Sequence, residues 1–226
     1  MSMTRLKTIG LALCAGLILA SCGSDKSAST LDVLKGIPAS IKARRTPPPP
    51  ISAAQIAQAL QSTNKPVALF QLENRRNAQV LLSEVERNGE YQTFGNQARQ
   101  AVVMRDGMIT ASRGLGGDLM STEEDELLYM IQSRAGGNVS YVQRFLTPEY
   151  KTKEVIYHCS VRPGAGGHTP LGRATMPTSS VGVSCQAAGE ASFENSYYVA
   201  GDGTIVSGRQ WMGETLGYLD TQLLRY

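Results

Sequence analysis

Three regimes of polarity divide the chain. Residues 9–20 are an apolar run behind Arg5 and Lys7, residues 23–30 are small and polar, and from Val67 onward apolar and polar positions alternate. The apolar run is about a dozen residues, well short of the roughly 20 that a spanning helix needs. It ends in Leu19-Ala20-Ser21-Cys22. Positive residues, an apolar stretch, small residues and a cysteine make a secretory signal closed by a lipobox. The pattern predicts removal of residues 1–21, leaving Cys22 as the first mature residue. Its thiol then carries a diacylglyceryl group and its amine a further acyl chain of the palmitate class. Three acyl chains exceed the two membrane signals that stable anchoring requires. Gly23 stands where an Asp would favour retention at the inner membrane, so the outer membrane is expected, with the body on its periplasmic face.

Residues 22–50 read as a tether. Residues 23–30 are too polar to bury anything, and residues 31–43 form a mixed stretch compatible with a short helix. Pro47 to Pro50 impose polyproline II, a stiff spacer. Ser52 then caps a helix whose apolar positions Ile56, Ala59 and Leu60 repeat at helical spacing, ending before Lys65-Pro66.

Beyond that point the period is two. Val67 and Leu69, then Val80, Leu82 and Val85, read as strands. Asn88-Gly89 predicts a tight reversal by supplying positive φ, and residues 91–94 return. Residues 101–104 and 108–111 flank Asp106-Gly107, a second hairpin by the same reasoning. Residues 113–119 (RGLGGDL) form a glycine-rich turn. They lack the lysine and the glycine spacing of a phosphate-binding loop. Residues 121–134 begin acidic, with Glu123, Glu124, Asp125 and Glu126, and end basic, which predicts a short helix with the carboxylates on a solvated face.

Strands follow at 140–145 and 155–161, the latter stopping at Arg162-Pro163-Gly164. Residues 164–180 read as a long loop. Residues 193–199 and 204–211 flank Gly201-Asp202-Gly203 as a third hairpin. The sum is a single domain over residues 51–226. Its fold class is mainly β, with α+β as the alternative, built of antiparallel hairpins in a curved sheet or sandwich with one or two short helices.

Composition sharpens this picture. Losing Arg5 and Lys7 with the leader lowers the net charge from +3 to +1. With no basic run interleaved with aromatics beyond the Lys42–Arg45 region, nucleic acid is not an expected partner. Cys14 leaves with the leader and Cys22 takes lipid, so Cys159 and Cys185 remain. In an oxidising periplasm the pair reads as a disulfide, contributing on the order of 3 kcal/mol. The alternatives are free thiols or a metal site. His158 and His168 are the only further ligands nearby, too few for zinc, and no cofactor is expected.

No catalytic constellation stands out. There is no G-x-S-x-G and no H-E-x-x-H, and His158 beside Cys159 reads as a strand residue. Tyr91, Tyr197, Tyr198 and Trp211 could present aromatic faces to sugars, or pack as cross-strand pairs.

Residues 95–119, with Arg105-Asp106-Gly107 running into Arg113-Gly114-Leu115-Gly116-Gly117-Asp118-Leu119, resemble the YjbF/GfcB family of lipoproteins linked to exopolysaccharide and group-four capsule production. Residues 195–224 resemble its closing hairpin, with Ser207-Gly208-Arg209-Gln210-Trp211 one residue longer than the family's string. The tetraproline and the region between the two late cysteines depart from that pattern. The resemblance implies an outer-membrane lipoprotein supporting assembly or export of extracellular or capsular polysaccharide as a non-enzymatic binding module. Its partners would be the membrane, through the lipid, and polysaccharide-export or envelope proteins, with polysaccharide itself a further contact. Arg105, Arg113, Asp118, Tyr198 and Trp211 are the candidate glycan or partner contacts. The alternatives are a periplasmic glycan-modifying enzyme and a structural envelope lipoprotein unrelated to polysaccharide.

Overall fold

The Ser52 hydroxyl accepts a hydrogen bond from the Gln55 amide (3.3 Å), and the Gln55 side chain accepts one from the Ser52 amide (2.8 Å). This reciprocal cap starts α1 (Ala53–Ser62) where the sequence places it. The computed structural model describes residues 48–147 and 149–226. The leader, Cys22, residues 31–43 and the front of the tether lie outside the described residues. Arg225, near the chain's end, donates to the carbonyls of Leu60 (2.8 Å) and Thr63 at the close of α1.

Twelve strands follow: β1 (Val67–Leu72), β2 (Ala78–Asn88), β3 (Tyr91–Gly95), β4 (Ala101–Arg105), β5 (Met108–Arg113), β6 (Leu119–Glu123), β7 (Gly137–Leu146), β8 (Thr152–Leu171), β9 (Ala174–Gln186), β10 (Phe193–Ala200), β11 (Ile205–Trp211) and β12 (Tyr218–Arg225). A second helix, α2 (Asp125–Ser133), follows β6. All twelve strands form one antiparallel sheet in the order β5-β4-β3-β2-β1-β12-β11-β10-β9-β8-β7-β6. The only neighbours out of sequence order are β1 and β12. The two edges, β5 and β6, are consecutive in the chain, and the sheet curls into a nearly closed barrel. The described residues from Pro48 onward cluster as one compact unit.

The period of two decides what faces inward. Val155, Tyr157, Cys159 and Val161 on β8, and Val181, Val183 and Cys185 on β9, are buried alternately. Two apolar clusters result. One gathers β7 to β11 around Leu127, Leu128 and Ile131 of α2. The other gathers β1 to β5 with Leu219 and Leu223 of β12. Between them lies a buried polar layer of Tyr141, Gln143, Asn195, Tyr197 and Gln210.

Side chains close the seam where β5 meets β6. The Ser112 hydroxyl donates to Asp118 (3.1 Å) and accepts from the Leu119 amide (3.1 Å). Gln210 of β11 accepts from the Ile109 amide (3.0 Å) and donates to the Ile109 carbonyl (2.7 Å).

Cys159 and Cys185 are direct cross-strand partners with Cα atoms 4.1 Å apart, and they form the disulfide. Four expectations need correction. Residues 164–180 are not a loop. They are the outer half of the β8–β9 hairpin, which turns at Gly172-Arg173. Beyond Val161 no β7 partner remains, and beyond Thr178 no β10 partner remains. Pro163 therefore lies on the free edge of β8, and Pro170 and Pro177 lie in two-stranded ribbon, where a missing donor is tolerated. Both faces there are largely exposed, which erases the alternation that marks a strand.

The second correction concerns the β2–β3 turn. Asn88 pairs with Tyr91, so the turn is Gly89-Glu90, with Gly89 (φ +59°) at its first central position. Third, residues 121–123 belong to β6, so the helix predicted from residue 121 begins only at Asp125. Fourth, a further strand, β12, follows the third hairpin, with Leu219, Thr221 and Leu223 alternating inward.

Candidate functional site

The two ends of the barrel differ. One is plugged by α2, whose Gln132 donates to Asp106 in the β4–β5 turn (3.0 Å) and whose C-terminal Arg134 donates to the carbonyl of Ala200. The opposite end is the mouth, where the connections β5–β6, β7–β8, β9–β10 and β11–β12 converge. A pocket of about 140 Å³ opens there. Barrel mouths are a preferred location for small-molecule sites.

Aromatic side chains make its walls. Phe145, Tyr157 and Trp211 line it, and Lys153, Glu190, Glu214, Thr147 and Thr215 form its rim. The indole of Trp211 stacks on Phe193 (centroids 6.0 Å apart, planes 16° apart) and meets the edge of Tyr218 at 5.2 Å. Tyr157 packs edge-on against Phe193 at 4.8 Å. The Trp211 amide donates to buried Asn195 (2.8 Å), which fixes the backbone behind the ring. Lys153 pairs with Glu190 at 2.7 Å across the rim.

Burial pushes the Tyr157 hydroxyl up to about 12, with Glu190 and Glu214 adding to the rise and a hydrogen bond from Trp211 opposing it. Burial likewise raises Tyr141 and Tyr197 in the polar layer. A raised folded pKa means that the unfolded chain loses its phenol protons first. The stabilisation is then complete below about pH 10 and is lost as pH rises toward 12. Alkaline titration followed by tyrosinate absorbance and circular dichroism should show these three ionising together with unfolding. Ionisation of all the tyrosines near pH 10 with the fold intact would contradict it.

Only one of the five candidate contacts, Trp211, reaches the pocket. Arg105 lies at the α2 end, bound to Glu90 (2.7 Å), Asp125 and Glu124 (3.5 Å), with its guanidinium over the Tyr91 ring. Arg113 donates to the Ser112 carbonyl (3.1 Å). The Asp118 carboxylate accepts from the Gly114 amide (2.9 Å), the Leu115 amide (3.1 Å) and Ser112, so it holds its own loop. Tyr198 is 42% exposed on the outer face of β10. His158 and His168 are exposed and, among the described residues, neither imidazole makes a hydrogen bond.

The acidic run is solvated at Glu123, Asp125 and Glu126 but not at Glu124. Glu124 is 3% exposed and accepts from Tyr91 (3.0 Å) and Thr122 (2.6 Å). The chain changes from strand to helix at this residue, so a helical wheel drawn through it misplaces its side chain. Its neighbour Glu123 pairs outside with Arg144. Lys153, Glu190 and Glu214 escaped the sequence reading because no local spacing unites them. Among the described residues no group of His, Cys, Asp and Glu is placed to hold a metal ion, and no helix is long and apolar enough to cross a membrane.

Fold and pocket together define a small antiparallel barrel with one end covered by α2 and a small aromatic pocket at the other. Residues 45–224 match the family described as group 4 capsule polysaccharide lipoprotein gfcB, YjbF. The match spans well over half of the chain, which therefore belongs to this family, as the two hairpin strings implied. Among solved structures, the lipoprotein YmcC of Escherichia coli K12 superposes with a TM-score of 0.66 at 11% identity, over 88% of this chain and 97% of that one. At that identity the likeness is one of fold. An exported protein of Bacteroides fragilis, described as having a YmcC-like fold, shares 8% identity over 71% of this chain and 93% of its own, with a TM-score of 0.31. That likeness is too loose to carry an inference. No curated protein matches the chain.

Proposed function

We propose that this chain is an outer-membrane lipoprotein, acylated at Cys22 and facing the periplasm, that supports assembly or export of capsular polysaccharide as a non-enzymatic module. The family match over residues 45–224 carries the reading. The leader pattern supports the anchor, and the aromatic mouth supports contact with glycan or with export proteins. The histidines that an enzyme reading would use stand exposed and, among the described residues, without hydrogen-bonded partners.

Deletion in the native host should lower surface polysaccharide without accumulation of cleaved glycan. Wild-type protein and the double variant His158→Ala/His168→Ala should both restore it, whereas Cys22→Ser should not. Normal polysaccharide in a clean deletion would overturn the proposal, and failure of the histidine variant alone would favour the enzyme.

A further inference from the structure

We propose that the mouth pocket holds one uncharged pyranose ring of the glycan and turns away anionic sugars such as uronates and sugar phosphates. This rests on the polysaccharide reading and names the residue class and the place of contact. Size comes first. About 140 Å³ is well below the roughly 300 Å³ at which pockets for drug-sized ligands begin, so there is room for a single ring and not for a disaccharide.

Lining chemistry comes second. A pyranose has an apolar C–H face and a rim of hydroxyls. Phe145, Tyr157 and Trp211 supply flat apolar surface for the first, while Thr147, Thr215 and the Tyr157 hydroxyl can bond the second. The aromatic chain Tyr157-Phe193-Trp211-Tyr218 holds the indole in place through ring contacts that run from β8 to β12, so little side-chain freedom is lost on binding.

Charge decides the class. Lys153 is neutralised by Glu190 at 2.7 Å, which leaves Glu214, among the described residues, without an ion-pair partner. The pocket is therefore net negative. The Tyr157 hydroxyl registers the same field, since Glu190 and Glu214 both disfavour its ionised form. A carboxylate or phosphate brought against this lining would meet two carboxylates and, among the described lining residues, no unpaired cation, whereas a hydroxyl or acetamido group meets no such opposition.

Trp211 is the only tryptophan in the chain, so its intrinsic fluorescence reports directly on this pocket. The full lipidated protein in detergent is titrated with oligosaccharides from the host's own polysaccharide, hydrolysed and separated by anion exchange into neutral and acidic fractions. The neutral fraction should change Trp211 emission saturably, at least about tenfold more tightly than the acidic one. Glu214→Gln should narrow that gap about tenfold, and Trp211→Phe, judged folded by circular dichroism, should weaken binding of the neutral fraction about tenfold by calorimetry. Equal or tighter binding of the acidic fraction, or no saturable change with the neutral one, overturns the inference. If polysaccharide is nonetheless lost on deletion, the family-level function stands and only the pocket assignment falls. Normal polysaccharide on deletion removes both.

Discussion

Replacing Gly107 by alanine should cost the domain at least about 4 kcal/mol, whereas Gly89→Ala costs about 1 kcal/mol. Both glycines sit in two-residue hairpin turns with positive φ, +89° and +59°. Backbone strain is therefore common to the pair. The surroundings differ. A Cβ on Gly89 would meet nothing within 4 Å, but on Gly107 it would lie 1.9 Å from the carbonyl oxygen and 2.8 Å from the carbonyl carbon of Ile205. The obstacle is the backbone of Ile205, which cannot swing aside as a flexible side chain can. The β4–β5 tip would have to lift from β11, breaking the bond from the Ile205 amide to the Asp106 carbonyl (2.9 Å) and uncovering Met108 and α2. With roughly 2–4 °C of melting temperature per kcal/mol at this chain length, the two variants should differ by about 6–12 °C in a thermal scan. Equal melting temperatures would show that the tip is not docked as described.

The contrast between these turns also marks the reach of the sequence. Asp106-Gly107 is legible because a two-residue turn with positive φ at both positions has few residue solutions, and the strands on either side alternate. The Ser52 cap and the Cys159–Cys185 bridge are legible for the same reason, each being a local or compartmental rule with one outcome. Docking of Gly107 on Ile205 is not legible, since it joins residues about a hundred positions apart. The outer half of the β8–β9 hairpin hides because neither face is fully buried, leaving prolines and glycines to suggest a loop. Glu124 hides because its environment is set by Tyr91 from a distant strand. The mouth pocket hides most completely. Of its wall, only Trp211 carries a signal in its local string. Lys153, Glu190 and Glu214 come from three separate segments that only the barrel's closure brings together.

Gln210 contributes to that closure, and two buried glutamines should respond unequally to the same substitution. Ile109 exposes an amide and a carbonyl on the free edge of β5, and the Gln210 side chain bonds both, acting as a one-residue strand in place of the missing backbone partner. Gln210→Met keeps the volume and removes both bonds. Two buried backbone groups left unpaired cost about 1–3 kcal/mol each, so a loss of about 2–6 kcal/mol is expected. Gln143 is equally buried, but its amide nitrogen makes only long contacts, 3.3 Å to the Trp211 carbonyl and 3.4 Å to Tyr141, and its oxygen has no partner. Gln143→Met removes an unsatisfied acceptor together with two weak bonds, and should fall within about 1 kcal/mol of the wild type. Urea unfolding of the two variants decides between this account and one in which the polar layer acts as a single network. In a network, both substitutions would be damaging by similar amounts. A large gap assigns the link between β5 and β11 to Gln210, the residue next to Trp211, and ties the aromatic mouth to the edge strand through one amide, beside the Ser112 bonds that join β5 to β6.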